Sequence, residues 1–88
     1  MSEGHDPEQA IGQVDHYFGH LSVAAVSLSA PLAVGDRINV LGHTTDLVQE
    51  VRSMQIDHAG VEQAKPGDDV AIAVDDHVRE HDLIYRED

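Results

Sequence analysis

The sequence predicts an all-β protein, a closed antiparallel barrel of about six or seven short strands. The first observation is a set of three turns of one shape, each ending in aspartate and each followed at once by a strand-like alternation: 34–36, 66–68 and 80–82. Glycine accepts φ > 0 and aspartate can bond its own backbone, so such turns start a strand in a fixed register. The second observation is that turn signals separate short apolar runs and no segment shows convincing helical periodicity.

The first two strands are predicted at 11–18 and 22–28. In the first, Val14 and Phe18 are the expected core residues. The second is apolar on both faces, which is typical of a central strand. Pro31 ends it, because proline cannot donate to a strand ladder.

The third strand is predicted at 36–41, with Ile38 and Val40 pointing inward, and the polar residues 42–46 form the turn after it. The last two strands are predicted at 69–74 and 83–86. Between these groups, residues 59–65 are too short for a stable helix and are expected to form a loop with at most one turn.

The segment 47–57 is long for one strand, and its apolar residues change phase. Leu47 and Val51 share one parity, whereas Met54 and Ile56 share the other, so a strict period of two cannot bury all four. Two solutions remain open. Either a bulge near residues 52–53 restores the register, or two strands are joined by a bend.

Length and composition predict one domain, with residues 1–10 as a disordered acidic lead-in and residues 11–86 as the barrel. A chain of 88 residues supports one thin core and leaves little room for a deep cleft. It has no cysteine, hence no disulfide and no thiolate chemistry. No apolar run is long enough for a membrane span and no signal peptide is recognisable, so we expect a cytoplasmic protein without a membrane partner.

The charge is strongly one-sided. Seventeen acidic residues stand against five basic ones, giving a formal net charge of −12, and Lys65 is the only lysine. This balance predicts a protein adapted to high salt, because screening by molar salt suppresses the repulsion that would otherwise favour expansion. The alternative is an ordinary acidic surface.

With these turns in place, the residues resemble a known family. The runs 30–40, 51–56 and 64–72 resemble, in order and spacing, the second domain of translational GTPases such as elongation factor Tu and initiation factor two. Small stand-alone translation-elongation-factor-like proteins, and the C-terminal barrel of collagenase-type peptidases, are similar in the segments 16–18, 42–46, 53–58 and 78–80. The resemblance implies a six-stranded antiparallel Greek-key barrel. It departs from the pattern at His81, where the last turn has glycine in the family, and a need for φ > 0 there would cost energy.

The resemblance also implies an association with tRNA or the ribosome beside a nucleotide-binding domain. No phosphate-binding loop is present, since Lys65 lies in Ala-Lys-Pro-Gly, and we expect no GTP binding by this chain alone. If the chain contacts RNA or another partner, the candidate residues are Tyr17, Arg37, His43 and Arg52. The alternative is that these arginines are ordinary exposed strand residues paired with nearby acids.

Seven histidines raise the possibility of a metal site, and His16/His20 and His77/His81 are each four residues apart. Both pairs flank turns or strands, where that spacing alone does not make ligands converge. No serine has a nucleophile context, and Asp57 beside His58 lacks an identifiable nucleophile. We therefore expect no catalytic residue, no cofactor and no metal.

The sequence thus predicts a non-catalytic binding module associated with translation, contacting RNA, the ribosome or a protein. One alternative is an accessory barrel subunit that docks on a separate catalytic chain. Another is a small enzyme that uses a histidine-bound metal.

Overall fold

The computed structural model describes residues 6–87 and contains ten short strands and a 3-10 turn at Pro7–Gln9, with no α-helix in that range. Residues 1–5 of the predicted lead-in lie outside the described residues. The strands, β1 to β10 in chain order, are Gly12–Phe18, Val23–Leu28, Leu32–Ala33, Arg37–Leu41, Asp46–Glu50, Met54–Ile56, Ala59–Val61, Gln63–Ala64, Asp69–Ala73 and Leu83–Arg86.

Eight strands form one antiparallel sheet in the order β5-β4-β10-β1-β2-β9-β6-β7, and β3 pairs with β8 in a separate two-stranded ladder. The large sheet curls into a half-barrel. The last strand, β10, returns between β1 and β4, so neighbours in the sheet are often distant in sequence. The predicted all-β antiparallel barrel class is confirmed, but the sheet is a half-barrel with edges at β5 and β7 and is not closed as the sequence predicted. The strand count exceeds six because the predicted strand 47–57 divides into β5 and β6, and because β3, β7 and β8 lie outside the predicted strands.

The core lies inside this curled sheet. Its fully buried members come from seven of the ten strands, and Ile38, Val40 and Ile84 have no exposed surface. Burying such side chains stabilises a fold by about 1.5–3 kcal/mol each. The second strand is central as predicted, between β1 and β9, with alternate residues buried.

Val14 is buried as predicted, but the placement of Phe18 in the core was wrong. Phe18 is 43% exposed. Asp15 is an extra residue in β1, because the register against β2 shifts between Val14 and His16. A bulge of one residue reverses the inward parity of everything after it, so Tyr17 packs against the core instead of Phe18.

Of the two solutions left open for the segment 47–57, the structure has two strands joined by a bend. β5 ends at Glu50, and β6 starts at Met54 after three residues outside any strand. Val51 and Met54 are both buried on either side of this bend. The chain therefore changes phase between two strands, and each piece keeps its own alternation.

The loop predicted at 59–65 is in fact two short strands, β7 and β8. Asp57 (φ 53°) and His58 (φ 68°) form the two-residue turn between β6 and β7. Two consecutive positive φ values are typical of the tight hairpin turn called type I′, which usually contains Asn-Gly or Asp-Gly. The prediction failed because Asp-His carries no glycine signal for such a turn.

The three aspartate turns have one geometry. In each, the residue just before the turn donates its backbone N–H to the aspartate carboxylate three positions later. These hydrogen bonds join Ala33 to Asp36 (3.0 Å), Lys65 to Asp68 (2.9 Å) and Arg79 to Asp82 (2.8 Å). The residue before the aspartate has φ of 99°, 93° and 77° at Gly35, Gly67 and His81. Type II turns require φ > 0 at this position. His81 therefore adopts the positive φ that glycine has in the other two turns.

Each turn is also a bulge that holds one core residue. The residue with positive φ donates its N–H to the carbonyl of a facing residue, whose own N–H donates to the aspartate carbonyl. The facing residues are Val51, Leu28 and Val14, and the six bonds measure 2.8–3.0 Å. Two residues opposite one, the first with φ > 0, define the G1 type of bulge. All three facing residues are buried, so these turns fix the sheet to its core.

Replacing His81 with glycine is expected to stabilise the fold. A left-handed conformation costs a residue with a side chain about 1–2 kcal/mol, and glycine avoids this cost. Glycine also makes the unfolded chain more flexible, which offsets about 0.5–1 kcal/mol of the gain. We expect His81→Gly to raise stability by roughly 0.5 kcal/mol, measured by thermal unfolding at molar salt. The matched control is Gly67→Ala, where an added Cβ meets nothing within 4 Å and only backbone strain acts. It should destabilise, and a loss of stability in His81→Gly would contradict the prediction.

Candidate partner-binding surface

Two of the predicted contact residues lie at the open end of the β4–β5 hairpin. Arg37 begins β4 and faces Glu50 across the ladder. Arg52 lies in the bend just beyond β5 and forms an ion pair with Asp75. Both arginines are exposed. Each arginine therefore lies beside an acidic residue, as in the alternative interpretation of these arginines as ordinary exposed residues next to acids.

The other two predicted residues lie elsewhere. His43 is in the exposed turn that joins β4 to β5, at the opposite end of the hairpin from Arg37. At about 3.3 Å per residue, six residues of extended chain separate them by roughly 20 Å. Tyr17 lies near the end of β1, where its ring packs on the ring of His77 with centroids 4.5 Å apart. The four residues are therefore distributed over the hairpin and a separate strand, and a common RNA contact through them stays a prediction.

A groove does form around Tyr17. Its other wall is the connection between β9 and β10, residues 77–81. Val78 has no exposed surface and anchors this connection in the core, while the carboxylate of Asp82 accepts the Arg79 N–H at its end. The groove wall is therefore held in place by the buried side chain of Val78 and by the turn that ends at Asp82.

The outer face beside the groove carries Phe18, the most exposed apolar side chain of β1. The Nδ1 of His16 lies 3.1 Å from a carboxylate oxygen of Glu80, which links β1 to the connection 77–81. The His16 ring meets Phe18 edge-on, with centroids 4.5 Å apart. Leu21, at the tip of the β1–β2 hairpin, is 69% exposed.

The histidines make local contacts. His81 Nδ1 lies 3.1 Å from the side-chain nitrogen of Gln13, and His77 packs on Tyr17 as described. Within residues 6–87, no three His, Asp or Glu side chains come close enough together to hold a metal ion. The expected absence of a metal remains a prediction of the sequence.

The polar clusters near serine and Asp57 do not form a recognised catalytic arrangement. The Ser27 hydroxyl donates to the carboxylates of Asp15 and Asp69, on the outer face of three neighbouring strands, and not to a histidine. Asp57 and His58 are the exposed central residues of the β6–β7 turn. Their place in the fold is accounted for by turn geometry.

The Lys65 backbone N–H, followed by the charge of its side chain, holds the pKa of Asp68 below its ordinary value. A carboxylate with a lowered pKa in the folded state stabilises fully above the ordinary value of about 3.9, and the contribution is lost as pH falls towards the folded pKa. We expect wild-type stability to fall more steeply below about pH 4 than that of Asp68→Asn. Thermal unfolding from pH 5 to pH 3 tests this, with Glu62→Gln as control. Parallel curves for wild type and Asp68→Asn would contradict it.

No helix among the residues described has the length and apolar character needed to cross a membrane. No protein-family model matches this chain.

Curated relatives do match it. The chain is 43% identical over 76 residues to an uncharacterized protease of Methanocaldococcus jannaschii, covering 85% of this chain and 19% of that protein. It is 35% identical over 80 residues to a collagenase of Porphyromonas gingivalis, covering 89% of this chain and 22% of that one. The chain therefore spans about a fifth of the length of the curated relatives it matches.

Among solved structures, the chain superposes on the C-terminal domain of a Geobacillus thermoleovorans protein assigned as a U32 peptidase. The TM-score is 0.87 at 16% identity, over 98% of this chain and 100% of that one. The selenomethionine variant of that domain gives a TM-score of 0.82 at 17% identity, over 89% and 98% of the two chains. At this identity the likeness establishes the fold.

The comparisons favour one of the two branches of the sequence resemblance. The chain is homologous to a segment of proteins named as protease and collagenase, and it has the fold of a peptidase C-terminal domain. The collagenase-type part of the resemblance is thereby confirmed. None of these relatives is named as a translation factor, so the translational role keeps no support from them.

Proposed function

We propose that this chain is a non-catalytic accessory barrel that docks on the catalytic part of a peptidase. The observation that carries the proposal is the partial match. The chain aligns over most of its length with only about a fifth of a protein named as a protease. The same fold occurs as the isolated C-terminal domain of an assigned peptidase. This is the accessory-subunit alternative that the sequence left open.

The chemistry of the described residues supports the non-catalytic assignment. Nucleophilic catalysis by serine needs an adjacent base, and the one described serine with close carboxylates, Ser27, donates to two aspartates on an open sheet face. The groove beside Tyr17 is lined by that tyrosine and residues 77–81, and none of these is a serine, threonine or cysteine that could act as nucleophile. Peptide hydrolysis is therefore assigned to the partner and not to this barrel.

The test is recovery of partners from native extract at molar salt, using the tagged chain as bait, with identification of both protein and RNA. We expect a peptidase chain to be enriched near stoichiometric amounts, and we expect the purified barrel alone to cleave no peptide. Recovery of ribosomal RNA and ribosomal proteins without a peptidase would overturn the proposal and favour the translational role.

A further inference from the structure

The tip of the β1–β2 hairpin exposes apolar side chains that the fold does not use. Phe18 and Leu21 are 43% and 69% exposed and lie three residues apart. The Leu21 N–H donates to the Phe18 carbonyl at 3.1 Å, and Ser22 takes φ of 53° to close the turn. This hydrogen bond and the backbone conformation of Ser22 define the tip, so the two side chains are presented on a defined turn.

From His16 onward, the same hairpin carries no acidic or basic side chain, in a chain of net charge −12. No Asp, Glu, Lys or Arg occurs between His16 and Gly35. Among the ion pairs within residues 6–87, three involve a lysine or arginine, namely Arg52, Lys65 and Arg86. Arg79, on the groove wall that adjoins this hairpin through the His16–Glu80 contact, is in none of those pairs.

We propose that the apolar tip, defined as Phe18 and Leu21 with Arg79 on the adjoining loop, is the surface that docks on the peptidase. Its complement is an apolar pocket with a carboxylate at the rim, on the catalytic chain. Apolar anchors at the centre and charges at the edge are the usual division of a protein interface. This inference rests on the proposed function and adds the location of the contact.

Other occupants fit the tip less well. A second copy would present the same uncharged tip, and its residues 16–35 contain no carboxylate to pair with Arg79. Nucleic acid and anionic lipid headgroups are bound mainly through several basic side chains, and residues 16–35 contain no lysine or arginine. A protein pocket is the occupant that the uncharged tip and the neighbouring Arg79 complement.

Site-specific photocrosslinking tests the location. The chain carries p-benzoyl-phenylalanine in place of Leu21 or, as matched control, in place of Val48, which is 41% exposed on the edge strand β5. Each is irradiated in native extract at molar potassium chloride, and crosslinked peptides are identified by mass spectrometry. We expect a peptidase peptide from position 21 and none from position 48.

The outcomes separate the two proposals. A peptidase crosslink from position 48 but not from position 21 overturns the tip as docking surface and leaves the accessory function standing. A crosslink from position 21 to a second copy of this chain or to RNA also overturns the tip proposal. No peptidase crosslink from either position also overturns the tip as docking surface, and recovery of a peptidase by the tagged chain then decides whether the accessory function stands.

Affinity for the peptidase so identified supplies the second measurement. Phe18→Ser and Leu21→Ser are each expected to weaken binding by about tenfold or more, as removal of central anchors does. Val48→Ser should leave it unchanged. All three side chains are substantially exposed, so the variants should fold, and circular dichroism checks this. Equal affinities for all three would overturn the proposal.

Discussion

Replacing Gln49 with alanine is expected to destabilise the barrel by about 2–4 kcal/mol, because two partly buried backbone groups lose their partners. Gln49 is 5% exposed on β5, which is one edge of the large sheet. Its amide nitrogen donates to the Ala73 carbonyl at 2.9 Å, and its amide oxygen accepts the Asp75 N–H at 2.7 Å. β5 and β9 are not neighbours in the sheet, so this one side chain links two walls of the half-barrel.

The measurement is thermal unfolding at molar salt, where the expected loss corresponds to a fall in Tm of roughly 10–20 °C for a domain of this size. Gln49→Met keeps much of the volume but none of the hydrogen bonds, and it should lose nearly as much as alanine if the bonds dominate. Gln55→Ala removes the same group from an exposed position on β6 and should change little. A Gln49→Met variant as stable as wild type would show that the link contributes by packing alone.

Removing salt is expected to loosen or unfold the domain. The Debye length is about 3 Å at 1 M and about 30 Å at 0.01 M. The Cα radius of gyration is 11.8 Å, so in dilute buffer each carboxylate repels charges throughout the molecule. The ion pairs of Arg52, Lys65 and Arg86 within the described residues act in the opposite direction, but such surface pairs contribute only about 0–1 kcal/mol each. Because the chain has seventeen acidic residues, charge repulsion outweighs these ion pairs, and removing salt is expected to lower stability.

We expect Tm to fall by roughly 10 °C or more between 2 M and 0.01 M potassium chloride, equivalent to about 2 kcal/mol in a domain of this size. Replacing the salt with sucrose at low ionic strength separates charge screening from general solute exclusion and should restore less stability. The double variant Glu8→Gln, Glu62→Gln removes two exposed charges and should show a weaker salt dependence. Equal Tm at both salt concentrations would contradict adaptation to high salt.

The aspartate turns show which structural features can be predicted from local sequence and which cannot. Gly-Asp at 35–36 and 67–68 predicted both the reversal and the strand after it, since φ > 0 and a backbone-bonding carboxylate are local requirements. The bulge opposite Val51 or Leu28 was not predictable in the same way. It depends on which distant strand faces the turn, and the facing residue lies far away in sequence.

The candidate site shows the same division. The uncharged run 16–35 was visible in the sequence as a contrast to the rest of the chain. Its meaning was missed because Phe18 was assigned to the core from its parity with Val14. One inserted residue, Asp15, reversed that parity. Bulges are set by pairing with neighbouring strands, so parity within one strand cannot reveal them.

The sequence by itself determined the all-β class, the central position of β2, the Leu83–Arg86 strand and the departure at His81, because alternation and turn chemistry act over a few residues. Only the tertiary structure decided that Gln49 links two walls, that Phe18 faces solvent and that Arg37 and His43 lie at opposite ends of one hairpin. Those facts depend on strand pairing between residues far apart in sequence, and the register of such pairs is set by the whole sheet.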